Sequence, residues 1–584
     1  MKFSASVPGY NHGNLRRKNF SGSKIRPLIQ RLAERFTLCG SLFLFCILLS
    51  GCARSEPKAD LTIINGPEPE SLDPAIITGQ ADGRAASCLF EGLTRYRAED
   101  ATPEPGLAER WEISPDGTTY TFFLRSNLVW STGEPITAND VLYSWIRVLD
   151  PMTASEYAGQ LFYVKNGEEF ATGQTNTLTG KKFTPEDVGV KVIDDLTLRV
   201  ELKSPTAFFL DLCAFQTLAV VPRHAIEKHG DRWLTTKPLP VSGSYELVSW
   251  RLNDKIRIRK NPRYWDAANT KTELVDLLPC TVANTALNLY ESGAADIVWD
   301  KELVPSDLID LLKTRPDLHS SDYLGTYFFR CNVTRKPYDD VRVRKALALS
   351  VDKRRIVEKI TKAGEKTASH FVPPGVANYK SPEGLGYDPE QARKLLAEAG
   401  FPGGKGFPNV QYLYNSVKSH EKIAIELQDM WKRELGINLE LRPLEWKTWL
   451  RAQAELDYDL SRSSWIGDYN DPNTFLDMFM SNNGNNRTGW KNARYDELMA
   501  QANNEPELKK REKLLQEAET ILIRDEVPIV PLYIYVNTEM FDPETIHGVY
   551  PNIRGEHPVR AIWKVSRGTK VESREPESSR SASK

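Results

Sequence analysis

The side chains that most often carry enzyme chemistry are present in this chain but are not grouped. The eight histidines (His12, His224, His229, His319, His370, His420, His547 and His557) are scattered. None falls into the H-E-x-x-H spacing that sets two imidazoles on one helix face around zinc. Neither a G-x-S-x-G nucleophile elbow nor an S-x-x-K in a penicillin-binding context occurs. Gly403-Gly404-Lys405-Gly406 has the glycines and lysine of a phosphate loop but lacks its spacing and the following Ser or Thr, so it reads as the turn after a helix. Beyond residue 52, Cys88, Cys213, Cys280 and Cys331 are far apart with no C-x-x-C, as expected of buried thiols or one ordinary bridge. No catalytic residues, metal site or cofactor are therefore expected. With 584 residues, 40% hydrophobic, 26% charged and a net charge of −2, the chain has globular composition and offers no electrostatic case for nucleic acid.

One cysteine does carry a chemical expectation. Residues 1–51 hold eight basic side chains and one acid, Glu34, and an apolar run extends from Phe36 to Leu49. As a helix that run would span about 21 Å, short of the roughly 30 Å of a bilayer core, so it reads as a secretory signal. Leu49-Ser50-Gly51-Cys52 resembles the bacterial lipobox, which implies acylation of Cys52 and an extracytoplasmic protein held to a membrane by its N-terminal lipid. Cleavage there moves the net charge from −2 to −9, which disfavours a polyanionic ligand.

The elements that would position a site follow from periodicity. A tether over 52–60 leads to a strand at Leu61–Ile64, ended by a Pro-rich turn, and Thr119–Leu124 reads as another strand. Thr137 caps a helix with Val141, Trp145 and Val148 on one face, and Val188 to Leu202 alternates as a hairpin about Asp194-Asp195. Asp340, Asp352 and Asp388 each open a helix; Gly400 stops the last. Val410, Tyr412 and Tyr414, a helix with Ile423, Leu427, Met430, Trp431 and Leu435 inward, and Ile437, Leu439 and Leu441 form a βαβ unit with parallel strands. The tail, 568–584, is expected to be disordered.

Ordered pieces along the chain then carry a resemblance. They include Ser71-Leu72-Asp73-Pro74-Ala75, Leu89-Phe90-Glu91-Gly92-Leu93, Pro105-Gly106-Leu107-Ala108-Glu109-Arg110-Trp111, Asn261-Pro262-Arg263-Tyr264-Trp265 and Asp339-Asp340-Val341-Arg342-Val343-Arg344. From about Leu61 to Pro551 the chain resembles the dipeptide/oligopeptide/nickel solute-binding family of bacterial ABC importers. The resemblance implies an α/β class II periplasmic-binding-protein fold, with two lobes joined by hinge strands and an extra domain inserted in the first lobe. Transferred boundaries give 60–90, 215–324 and 536–567 for the first lobe, 91–214 for the inserted domain and 325–535 for the second lobe.

Glu445-Trp446-Lys447-Thr448-Trp449 and Arg462-Ser463-Ser464-Trp465-Ile466-Gly467-Asp468-Tyr469 resemble the oligopeptide subgroup most strongly. In that subgroup the residue matching Asp468 pairs with the α-amino group of a bound peptide, and the residue matching Arg462 meets its carboxylate. Trp465 and Trp446 match pocket-lining residues, and Tyr157 matches a residue touching the peptide chain. Gly79-Gln80 and Ser242-Gly243 match segments whose backbone pairs with an extended peptide, although Ser242 replaces the usual Asn. Thr78 and Arg330 stand where peptide-binding relatives can carry acids, which implies weaker preference for Lys or Arg side chains and more tolerance of acidic ones. The implied function is a monomeric, non-enzymatic receptor that delivers short peptides to an ABC permease with cytoplasmic ATPase subunits. The same fold could instead take a murein peptide, nickel complex, haem or oligosaccharide, or serve a sensory co-receptor; an anchored peptidase is the rival class.

Overall fold

A strand buried on both faces must be largely apolar, and Leu61–Gly66 (β1) carries Leu61, Ile63 and Ile64 with all but one of its residues buried. The computed structural model describes residues 56–567 apart from 207, 377, 378 and 506, and from Ala59 these form one unit. The expected leader, the lipidation site Cys52 and the tail lie outside the described residues.

After β1 comes a helix, α1 (Gln80–Leu89). The chain then builds a separate antiparallel sheet from β2 (Ala108–Ile113), β3 (Thr119–Leu124), β4 (Val190–Asp194) and β5 (Thr197–Glu201), in the order β2-β3-β5-β4. Between β3 and β4, α2 (Ala138–Leu149) buries Val141, Trp145 and Val148 in a shared core with Tyr120, Phe122, Val190 and Leu198. Its first turn is fixed by Asp140, whose carboxylate accepts the Thr137 backbone N–H at 2.8 Å. Arg147 ties α2 back through a bidentate pair with Asp73, at 2.8 and 2.6 Å.

The chain returns with β6 (Tyr245–Arg251), β7 (Lys255–Lys260), β8 (Leu274–Pro279) and β9 (Ile297–Val298). β1 lies parallel to both β8 and β9, over a core of Leu61, Ile63, Leu89, Tyr245, Leu277 and Ile297. A 14-residue strand, β10 (Leu318–Cys331), then leaves this half for the other. There Asp340 and Asp388 cap helices α3 (Val341–Leu349) and α4 (Pro389–Glu398) by accepting the N–H of Arg342 and Gln391. The helix expected from Asp352 is only partly α: Lys353–Arg355 is one turn, continued as a π-turn over Ile356–Thr361.

The βαβ unit takes the expected form. β11 (Val410–Asn415) and β12 (Leu439–Leu444) are parallel, joined by α5 (Lys418–Leu435), which Gly436 ends at φ +70°. Trp431 of α5 is fully buried against Phe329 and Tyr412. Helix α6 (Trp446–Ala454), strand β13 (Leu460–Ile466) and the 13-residue β14 (Ile529–Phe541) complete the half.

Apart from β2 to β5, these strands form one eleven-stranded sheet, β12-β11-β13-β10-β14-β9-β1-β8-β7-β6, with Lys366–Thr367 paired onto β14. The fold is α/β with two lobes. β10 and β14 pair antiparallel from Leu318 opposite Met540 to Arg330 opposite Ile529, with irregularities at 322–328. They are the long strands that run from one lobe into the other. Cys88, Cys213, Cys280 and Cys331 are free thiols, and Pro402–Gly404 is the short turn that follows α4.

Candidate functional site

Parallel strands leave their carboxyl ends open where the connections diverge, and open α/β sheets bind ligands there. β1, β8 and β9 are parallel in one lobe, and β11, β12 and β13 in the other. A cavity with about 180 Å³ of water-accessible space lies at those ends. Pro67 lines it after β1, Thr281 after β8, Asp300 to Leu303 after β9, Asn415 at the end of β11, Trp446 after β12, and Arg462 to Asp468 along and beyond β13. Gly79 and Gln80, at the start of α1, and Tyr157 of the β3–β4 excursion close the remaining sides.

Asp468 is 9% exposed. Its backbone N–H donates to Thr474 Oγ1 at 2.8 Å, and its carboxylate accepts from Gln160 Nε2 at 3.1 Å. Among the described residues no cation pairs with it. Burial pushes its pKa well above the usual carboxylate range; the charge of Arg554 opposes this, while Asp477 and Glu556 add to it. A carboxylate in this state gains strongly from a guest that brings a positive charge and hydrogen-bond donors.

Arg462 is 4% exposed and donates to Asn415 Oδ1 at 3.2 Å and Tyr535 OH at 3.1 Å, while its Nε has no partner. Burial works against its charge, but the Tyr535 and Tyr327 oxygens and Glu302 hold the guanidinium protonated. Glu302 Oε1 stands 3.8 Å from Arg462 Nη2 and accepts the Tyr535 hydroxyl at 2.9 Å, so the arginine already has a loose internal carboxylate. Beside them, the Lys301 ammonium sits 4.5 Å from the Tyr535 ring centre and 5.3 Å from that of Tyr323. His420 lies in the same corner, and burial, with Arg462 and Lys301 nearby, keeps it neutral.

The aromatic residues make the walls. Tyr157 packs edge-on against Phe215, 5.3 Å between centres, and lies 6.0 Å from the Trp465 ring. Trp465 is locked by donating its indole N–H to Thr474 O. Trp446 stacks on Trp449 at 5.0 Å, and both buried indole N–H groups lack partners. Gln80 Nε2 donates to Tyr323 OH, and a Cβ at Gly79 would fall 2.3 Å from Asp82 Oδ2.

The structure thus brings together Asp468, Arg462, Trp465, Trp446, Tyr157, Gly79 and Gln80, but not Ser242 and Gly243. These two are buried outside the cavity wall, with the Ser242 hydroxyl and both Gly243 backbone polar groups already used. Ser242 Oγ accepts from Glu91 N and donates to Val220 O; the Gly243 N–H donates to Leu89 O at 2.8 Å, and its carbonyl accepts from Asn261 Nδ2. Residues that sequence reasoning passed over are Lys301, Glu302, Gln160 and, as a cavity residue, His420. The signal for the first two was available: a charged Asp300-Lys301-Glu302 run directly follows a short buried strand, where an α/β sheet places its ligand.

Residues 102–487 match the family described as bacterial extracellular solute-binding proteins, family 5 middle. The chain is 34% identical over 550 residues to the oligopeptide-binding protein OppA of Bacillus subtilis, covering 90% of this chain and 98% of that one. Among solved structures, Haemophilus influenzae OppA in complex with RPPGFSPFR superposes with a TM-score of 0.82 at 32% identity, covering 88% of this chain and all of that one. The Escherichia coli murein tripeptide-binding protein MppA, also 32% identical, gives 0.81 in one structure, over 88% of this chain and 99% of that one, and only 0.59 in its unliganded open form, over 88% of this chain and 98% of that one. The lobes of the present chain accordingly match the arrangement in the first of those structures better than that in the open form. The chain belongs to family 5 of the bacterial extracellular solute-binding proteins.

Proposed function

We propose that this protein captures short peptides in the cavity between its lobes and delivers them to an ABC permease driven by cytoplasmic ATPase subunits. The observation that carries the reading is Asp468, a buried carboxylate with one neutral side-chain donor and no ion-pair partner among the described residues, on the same cavity wall as the Arg462 guanidinium. That pairing suits a zwitterion better than a sugar or a bare metal ion. Asp468 takes the peptide ammonium, Arg462 and its neighbours take the carboxylate, Trp465, Trp446 and Tyr157 line side-chain pockets, and Gly79 and Gln80 offer backbone at the mouth. Lobe closure about β10 and β14 excludes water and presents the permease with a docking shape. The names of the relatives support this reading, and MppA keeps a murein peptide within the same ligand class.

The lobe boundaries given above are part of the proposal. So are a monomeric state and anchoring through an acylated Cys52; no described helix is long and apolar enough to cross a membrane. Native mass spectrometry of protein purified from a peptide-rich host tests the reading. Adducts that fragment as peptides of a few residues are expected; a haem, metal-chelate or sugar adduct, or none after incubation with a tripeptide pool, contradicts it.

A further inference from the structure

Arg330, on β10, lines the same cavity and is 3% exposed. A guanidinium carries five N–H donors. Nε donates to Ser463 Oγ at 3.0 Å, and Nη1 donates to the carbonyls of Asn485, at 3.0 Å, and Asn486. Nη2 has only the Met478 thioether at 3.8 Å, a weak acceptor. No carboxylate forms an ion pair with Arg330 among the described residues. Its other close neighbours are the rings of Phe328 and Phe479, at 5.3 and 5.7 Å. Arg487 also lines the cavity, but its charge is already paired with Glu156.

The side chain is also held in place. The loop carrying its two carbonyl partners is pinned by Asn486 Nδ2, which donates to Phe479 O at 3.2 Å and Trp490 O at 3.1 Å. A fixed, buried cation with unused donors on a ligand cavity lacks a counter-charge that a guest can supply. We infer that Arg330 receives an acidic side chain of the bound peptide, making this a receptor that favours peptides carrying Glu or Asp. The inference rests on the peptide reading and adds a substrate preference to it.

The test is calorimetric titration of the full chain with tetra-alanine and with Ala-Glu-Ala-Ala, Ala-Ala-Glu-Ala and their Gln and Lys counterparts. At one position or both, Glu is expected to bind about tenfold or more tighter than Gln, and Lys more weakly than Gln. Arg330→Met is expected to erase the Glu-over-Gln ratio, and Arg330→Lys to keep part of it, which loss of loop packing alone would not produce. A wild-type protein that binds Gln as well as Glu at both positions overturns the inference, as does an Arg330→Met variant that retains the Glu preference. If Arg330→Met does not fold, the wild-type ranking and Arg330→Lys decide. Tetra-alanine separates the two levels: binding without a Glu preference removes only the acidic-side-chain inference, whereas no binding of any peptide removes the peptide reading with it.

Discussion

Binding of a peptide amine at Asp468 should release a proton. In the empty cavity the carboxyl has one neutral donor, Gln160, and burial raises its pKa well above the ordinary range. That direction favours a carboxyl that still holds its proton while the cavity is empty. Below about pH 8 the guest arrives as an ammonium, and the ion pair forms only if the carboxyl gives up that proton. One proton lost per peptide makes Kd fall by about tenfold per pH unit, roughly thirtyfold from pH 5.5 to 7.0. The charged and titratable groups around Asp468 are Tyr157, Arg554, Glu556 and Asp477. Asp477 is the competitor, since burial pushes it up to about 7, within hydrogen-bond reach of Tyr163 and Tyr469. Titrations with trialanine in two buffers of different ionisation enthalpy count the protons directly. Asp468→Asn should lose the pH slope and weaken binding at pH 7 by a hundredfold or more, from about 3–5 kcal/mol for an ammonium left unpaired. Asp477→Asn should keep the slope. A Kd constant within twofold across this range, with no proton exchanged, refutes the reasoning.

Three further predictions concern the surroundings. Glu302→Gln removes the carboxylate that stands 3.8 Å from Arg462, so trialanine should bind several-fold tighter while the empty protein melts lower; calorimetry and a thermal scan check both. Glu519 accepts the N–H groups of Phe371 and Val372 and the Tyr379 hydroxyl, and burial raises its pKa to about 7. Its contribution to stability is complete below the unfolded value of about 4.3 and is lost as pH rises through 7, so Glu519→Gln should narrow the gap in urea midpoint between pH 5 and pH 8. Trp431→Ala empties the space beside Phe329 and Tyr412 and strips Leu347 O of its indole donor, costing about 3–5 kcal/mol in urea unfolding of the second lobe.

The local elements were legible where one physical signal dominated. Val410, Tyr412 and Tyr414 alternate, Trp431 and its helix neighbours recur with helical spacing, and Gly436 supplies the positive φ, so the βαβ unit could be read from its own residues. The segment after Asp352 was harder. Its apolar spacing fits a helix, but which turn pattern it closes, α or π, depends on packing that its sequence does not carry. The site divides in the same way. Asp468 and Arg462 stood out by resemblance, and the fold places both on the cavity wall. Ser242 and Gly243 looked available because their partners, Val220, Leu89 and Asn261, come from other elements of the lobe. Lys301 and Glu302 reach Arg462 only because β9 and β13 end at one cavity, a juxtaposition set by sheet order and invisible in either segment alone.

The central claim is that a buried carboxylate at Asp468 holds the amino terminus of the guest. Its most direct measurement is the affinity of trialanine against N-acetyl-trialanine at pH 7, which differ in that terminus alone. The account predicts that acetylation weakens binding by at least a hundredfold; equal affinities for the two peptides would contradict it.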